Sequence, residues 1–133
     1  MKVGNLIPLI TTYDGDGLLE ERVAVLEKEL KWSLPEDYRH LLLATDGGYC
    51  KIGSFYIDFW NINDIVFYAE DVETLDGLIP FASDGCGIAF AFDRKGEGVL
   101  SIPMDCLLRN CAKIIAKDFK DFLDKIENQE LVY

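Results

Sequence analysis

Residues 33–48 read Ser33-Leu34-Pro35-Glu36-Asp37-Tyr38-Arg39-His40-Leu41-Leu42-Leu43-Ala44-Thr45-Asp46-Gly47-Gly48, and the character of the chain changes across them. Ser33 followed three residues later by Glu36 has the pattern of a capping box, and Pro35 is tolerated in a first helical turn, so a helix is predicted to start here. Tyr38, Leu41 and Leu42 share one face of it and form its buried side. The helix is predicted to stop at Asp46-Gly47-Gly48, where glycine can take the left-handed conformation that ends helices. Beyond that point helical periodicity gives way to short runs of β-branched and aromatic residues.

Upstream, Leu19, Val23, Leu26 and Leu30 recur on one helical face, which predicts an amphipathic helix over about residues 18–31 that breaks at Trp32. Downstream, strands are predicted at about 49–53, 55–60, 78–82, 87–93 and 98–102. In Gly87-Ile88-Ala89-Phe90-Ala91-Phe92-Asp93 three large residues share one face and two alanines the other. The large residues can fill a core while the alanine face admits a close neighbour. The turn Asp93-Arg94-Lys95-Gly96-Glu97-Gly98 makes a hairpin with the strand that follows. Residues 61–77 are expected to form a short helix and a loop crossing the sheet, and Phe119, Phe122, Leu123 and Ile126 mark a final helix. Helices, antiparallel strands, then a helix is the order of an α+β domain. The expected fold is a mostly antiparallel sheet flanked by N-terminal and C-terminal helices, one domain over residues 1–133.

Charge is distributed unevenly. The 133 residues carry 24 Asp and Glu against 13 Lys and Arg, a formal charge of -11. Residues 52–93 hold eight acids (Asp58, Asp64, Glu70, Asp71, Glu73, Asp76, Asp84 and Asp93) and no base. Phosphate backbones and anionic lipid are bound by Lys and Arg that displace counterions, so neither nucleic acid nor a membrane surface is an expected direct ligand. No apolar run approaches the roughly 18 residues that span a bilayer, and Pro8 interrupts the N-terminal apolar stretch, so a cytoplasmic location is expected. Aromatics are interleaved with the acids, among them Tyr56, Trp60, Phe67 and Tyr68. Unpaired carboxylates steer association and aromatic anchors supply contact energy, a combination suited to a basic protein partner. The candidate contact residues are Asp58, Asp64, Tyr68, Glu70, Asp71, Glu73, Asp76 and Asp84. Phe81, Phe90 and Phe92 are assigned to the core, which leaves the acids from Glu70 to Asp76 and Tyr68 as the sharpest candidates.

Catalytic and metal motifs fare less well. Asp14-Gly15-Asp16-Gly17 resembles the start of a calcium loop, but its twelfth position is Val25 where a bidentate Glu is required, so a surface turn is expected. Gly85-Cys86-Gly87 lacks a third glycine at dinucleotide spacing and precedes its strand. His40 is the only histidine, too few for a His-based metal site. Cys50, Cys86, Cys106 and Cys111 form no C-x-x-C pair and are expected as buried reduced thiols. Paired carboxylates leave an acid/base hydrolase open as a rival reading. No cofactor is expected.

Leu26-Glu27-Lys28-Glu29-Leu30-Lys31-Trp32-Ser33-Leu34-Pro35-Glu36-Asp37-Tyr38-Arg39-His40-Leu41-Leu42, ending in Asp46-Gly47-Gly48, resembles the opening signature of the SUKH superfamily, which includes the Smi/Knr-type domain. Three further pieces match in order: Leu78-Ile79-Pro80-Phe81-Ala82-Ser83-Asp84-Gly85, the strand to Asp93, and Ala116-Lys117-Asp118-Phe119-Lys120-Asp121-Phe122-Leu123. Together they cover about residues 18–126, and their order and spacing carry the specificity that each lacks alone. The resemblance implies a sheet flanked by helices and, as for most bacterial members, a non-enzymatic immunity protein. Its partner would be a cognate polymorphic toxin with a basic domain, often a nuclease, and the protein itself a monomer or weak oligomer. The alternative is a scaffold domain outside any toxin system, as in fungal signalling. Trp32, Leu34, Pro35, Tyr38, Gly48, Pro80, Phe81, Phe119 and Phe122 are structural signature residues, so the resemblance transfers the fold and no binding site. Asp84-Gly85-Cys86-Gly87 departs from the more polar glycine turn of the family.

Overall fold

The computed structural model describes residues 1–13, 15–70 and 75–133. A short helix α1 (Val3–Leu6) and a 3-10 turn lead to α2 (Glu20–Leu30), whose Val23, Leu26 and Leu30 are buried. Leu19 does not join that face: it is the extended residue before the first turn and is 73 % exposed, because the helical phase does not reach it. Lys31, in the left-handed region at φ 52°, ends α2.

The next helix, α3 (Glu36–Thr45), starts three residues after Ser33, with Pro35 in the N-cap position, so the Ser33–Glu36 capping box does not form. A carboxylate from the preceding helix ties down the approach to α3. Glu27 Oε2 accepts from Leu34 N at 2.8 Å and Glu27 Oε1 from Arg39 Nε at 3.3 Å, which fixes the angle between α2 and α3. Tyr38, Leu41 and Leu42 are buried as expected. Asp46, at φ 48°, stops α3. Gly47 is required next, since a Cβ there would lie 2.6 Å from Phe59 O and 2.7 Å from Asn61 N. Asp46 Oδ1 also accepts from Ile62 N at 2.9 Å, so the end of α3 seats the start of α4 (Ile62–Ala69).

Six strands form one antiparallel meander in sequence order: β1 (Gly48–Ile52), β2 (Phe55–Phe59), β3 (Leu78–Ser83), β4 (Ile88–Asp93), β5 (Val99–Pro103) and β6 (Lys113–Ala116). Five lie within a residue or so of their predicted positions. Pro80 sits inside the sheet without an N–H to donate, and the β3–β4 register slips beside it, between Pro80 and Ala82, as proline in a central strand demands. Helix α5 (Phe119–Glu127) closes the chain, capped by Asp118, which accepts from Asp121 N at 2.7 Å.

One face of the sheet holds the aromatic core. Phe81 and Phe92 stack at 4.0 Å, and Tyr38 of α3 meets Phe81, Phe92 and Phe119 edge-on at 5.3, 4.9 and 5.5 Å. Phe122 of α5 reaches Phe90 at 5.1 Å, so α3 and α5 cover this face together. The Tyr38 hydroxyl is buried with no hydrogen-bond partner among the described residues. Tyr38→Phe is therefore expected to leave stability unchanged or to raise it by up to about 1 kcal/mol, since it removes an unsatisfied buried hydroxyl and keeps the ring. A urea melt showing a loss of that size or more would mean that the hydroxyl has a partner.

The opposite face of β4 carries Ala89 and Ala91 and, by alternation, the Asp93 side chain. The segment after β5 runs the length of this strand, tied to Gly87 O by Met104 N at 2.8 Å and to Asp93 by Arg109. Ala89 and Ala91 are fully buried, so this face is covered, as their pattern predicts. Within this segment the Cys106 and Cys111 sulfurs are bonded to each other, and Cys86 is exposed. The expectation of four buried reduced thiols is thus overturned: only Cys50 is a buried thiol, and burial pushes it up to about 11. Two cysteines five residues apart on one loop were brought together by its fold across β4, which no C-x-x-C spacing announces.

Candidate partner-binding face

The predicted contact residues fall into separate places. Asp58 is half-buried on β2, and Asp64 and Tyr68 lie on α4. Asn61 caps that helix by accepting from Asp64 N at 3.0 Å, which sets Asp64 in the first turn. These three surround an open hollow of about 370 Å³ lined also by Trp60, Ser83, Gly85, Gly87 and Met104. Trp60 is buried against Tyr68, their rings stacked at 4.8 Å. Glu70 is exposed at the far end of α4, beside a second shallow hollow with Glu29, Leu30 and Val66. Asp71 and Glu73 lie outside the described residues, as does Asp14 of the calcium-like turn.

Asp76 and Asp84 have partners of their own. Asp76 sits near the start of β3, the opposite end from Asp58, and accepts from Lys95 Nζ at 2.6 Å. That hydrogen bond, with the Lys95 and Arg109 charges, holds its carboxyl below the usual range. Asp84 is buried beneath the β3–β4 turn: Oδ1 accepts from Cys86 N at 2.8 Å and Ile88 N at 3.1 Å, and Oδ2 from the Tyr133 hydroxyl at 3.0 Å. Its carboxylate shapes the turn from within. Asp93, with a side chain fully excluded from water, is likewise consumed by Arg109 and by the N–H groups of Lys95 and Glu97. The run that is base-free along the chain is therefore not base-free in space, because Lys95 and Arg109 fold back over part of it.

Asp58 and Asp64 differ from these. Among the described residues neither pairs with a Lys or Arg, unlike Asp76 and Asp93 of the same acidic run. The single hydrogen bond to Asp58 comes from the Tyr13 hydroxyl, at 2.5 Å. Burial and the Asp64 charge push the Asp58 carboxyl up, outweighing that bond. A carboxyl that is harder to ionise when folded makes the fold less stable as pH rises through the window between its ordinary and its raised value. Asp58→Asn, which keeps an acceptor for Tyr13, is expected to raise thermal stability at neutral pH; a lower melting temperature would show the charge to be structurally useful.

Three tyrosines that sequence reasoning did not single out complete this face. In β1 and β2, Tyr49 opposes Asp58 and Lys51 opposes Tyr56, all on the side away from buried Cys50 and Ile57. The Thr11–Tyr49 bridge brings Tyr13 alongside. Tyr13–Tyr49 and Tyr49–Tyr56 ring centroids are 5.8 and 6.1 Å apart, and the three side chains are 52, 38 and 41 % exposed. Gly85 lets the Tyr56 ring lie on the turn, since a Cβ there would come within 3.1 Å of it. Strand alternation could have revealed Tyr49 and Tyr56 as outward; nothing local could have placed Tyr13.

The model of the SMI1 / KNR4 family (SUKH-1) matches residues 17–125. The chain belongs to the SMI1/KNR4 family. No curated protein matches it in sequence. Membership agrees with the sheet-and-helix fold and with the structural reading of the signature residues, for Tyr38, Phe81, Phe119 and Phe122 are all core. Domains of the SMI1/KNR4 family commonly act as immunity or regulatory domains and generally not as enzymes. Among the described residues no group of three His, Cys, Asp or Glu is placed to hold a metal ion, and no helix is long and apolar enough to cross a membrane.

Proposed function

We propose that this SMI1/KNR4 domain is a cytoplasmic immunity protein that binds a basic toxin domain, a nuclease being the best-fitting class, and occludes it with the face bearing Asp58, Asp64 and Tyr68. The observation that supports this most is that Asp58 and Asp64, neither paired with a Lys or Arg among the described residues, line one hollow together, next to exposed tyrosines. Fully paired carboxylates have little left to offer a partner, whereas unpaired ones raise association rates and select for positive charge. A nuclease must hold phosphates with Lys and Arg, so an acidic face can take the place of its substrate. Asp76 and Asp84 contribute less, being held within the fold.

The test is co-expression with the product of the neighbouring gene. Growth should be rescued by the wild-type protein, and the two should co-purify. Their association rate should fall by roughly tenfold or more between low and physiological salt while the dissociation rate changes little. A neighbour that is not toxic, or a complex whose association rate ignores salt, would remove the proposal.

A further inference from the structure

We propose that the hollow between β2 and α4 seats an arginine side chain of a basic protein partner, its guanidinium between Asp58 and Asp64 and its plane against the Trp60–Tyr68 pair, while the partner's backbone lies across Tyr56, Tyr49 and Tyr13. This rests on the binding reading above and deepens it by naming the anchoring group.

Charge complementarity comes first. Two carboxylates with no cation among the described residues flank one concavity, and burial, with a smaller contribution from the Asp64 charge, makes Asp58 harder to ionise. A cation seated between them relieves that repulsion, so it is bound more tightly than a single exposed carboxylate would bind it. The rest of the lining favours arginine over lysine. Tyr68 lines the hollow, backed by buried Trp60 stacked on it at 4.8 Å, and a guanidinium can stack on a ring while its N–H groups still fork toward carboxylates. An ammonium is a compact point charge that must give up more hydration to enter the same place. A volume of about 370 Å³ admits a guanidinium and the methylenes behind it.

The seat is also held in shape before binding. Asp84 clamps the Asp84–Gly87 turn through two backbone N–H groups, and Asn61 fixes the first turn of α4. Gly85 and Gly87, at φ 75° and 98°, occupy a region that side chains disfavour and leave the rim open. A preformed seat loses little entropy on binding. The tyrosine row continues the surface outward: large amphipathic side chains with few rotors are the residues that anchor interfaces at low entropic cost.

The probe is the capped tripeptide acetyl-Gly-Arg-Gly-amide, with its lysine and citrulline counterparts, titrated into isotope-labelled full-length protein and followed by amide chemical shifts. The arginine peptide should move resonances at residues 56–68 and 83–87, the lysine peptide should bind more weakly, and citrulline, which keeps the shape and loses the charge, should bind least. The double variant Asp58→Asn/Asp64→Asn should weaken the arginine peptide by about tenfold or more, the loss expected for charged hydrogen bonds. Tyr68→Leu should reduce the preference for arginine over lysine, and Tyr68→Phe should keep it. Equal shifts from all three peptides, shifts centred elsewhere, no shifts at all, or an unaffected double variant would each overturn the arginine seat. The toxin reading fails separately: a protein that seats the peptide but gives no rescue loses that reading and keeps the seat, and one that rescues without seating it keeps the reading alone.

Discussion

Replacing Asp58 and Asp64 together by lysine is expected to weaken the proposed toxin complex by roughly a hundredfold or more and to abolish growth rescue, because like charges set against each other across an interface cost several kcal/mol. Steering alone does not account for so large an effect. The two acids line one hollow beside Trp60 and Tyr68, and a partner seated over it would exclude water, so a charge mismatch there is felt more strongly than on a surface left open. The matched control is Glu21→Lys/Glu130→Lys, which changes net charge equally at exposed positions away from this hollow. If both double variants lose the same affinity, net charge and not this face governs binding, and the assignment falls. If only the first does, the stability comparison adds a second signature. Asp58→Asn is expected to stabilise the fold while weakening the complex, the mark of a residue held for function at some cost to the fold.

How far the sequence reveals this face depends on the range of the interactions that build it. Helices α2 and α3, and five strands, are legible because each is specified by its own periodicity and by glycine stops. Strand β6 was missed. It has four residues, Lys113-Ile114-Ile115-Ala116, and lies at the sheet edge with Lys113 and Ile114 exposed, so it carries neither alternation nor length enough to register. The Ser33–Glu36 box fails because α3 begins only at Glu36, with Pro35 as its N-cap, too late in the chain for Ser33 to cap it. The same limitation governs the site. A count of charge along the chain correctly marks residues 52–93 as acidic, but pairing is settled by Lys95 and Arg109 from outside that run. The acids near Glu70–Asp76 looked sharpest when only the loop was visible; of these, Asp76 is paired and Asp71 and Glu73 are outside the described residues. Asp58 and Asp64 stand out instead, and Tyr13 joins Asp58 from 45 residues away.

Arg109→Ala is expected to cost roughly 3–5 kcal/mol of folding stability, the usual penalty for stranding a buried charge. That is a large part of the 5–15 kcal/mol or so that holds a domain of this kind together. The Arg109 fork grips both Asp93 oxygens, Nη1 to Oδ1 at 3.1 Å and Nη2 to Oδ2 at 2.6 Å, and it adds Glu97 Oε2 at 3.0 Å and Asp76 O at 2.7 Å. Arg109→Lys should fall between wild type and Arg109→Ala, since one ammonium cannot reach all four acceptors. The pH dependence distinguishes a stranded charge from simple loss of packing. In the wild type, burial opposes ionisation of Asp93, but Arg109 and the N–H groups of Lys95 and Glu97 outweigh it and hold the carboxyl below its usual range. Its contribution is therefore complete above the ordinary aspartate value and is lost as pH falls through the lowered one. Without Arg109, burial dominates and raises the carboxyl, so protonation relieves the variant on mild acidification. The gap in unfolding free energy between wild type and Arg109→Ala should consequently narrow from pH 7 to about pH 4, the range in which carboxylates take up protons. Urea melts at both ends of that range measure it. A gap that is constant with pH would mean that the arginine acts through packing, and a gap under about 1 kcal/mol would class the cluster with ordinary surface pairs.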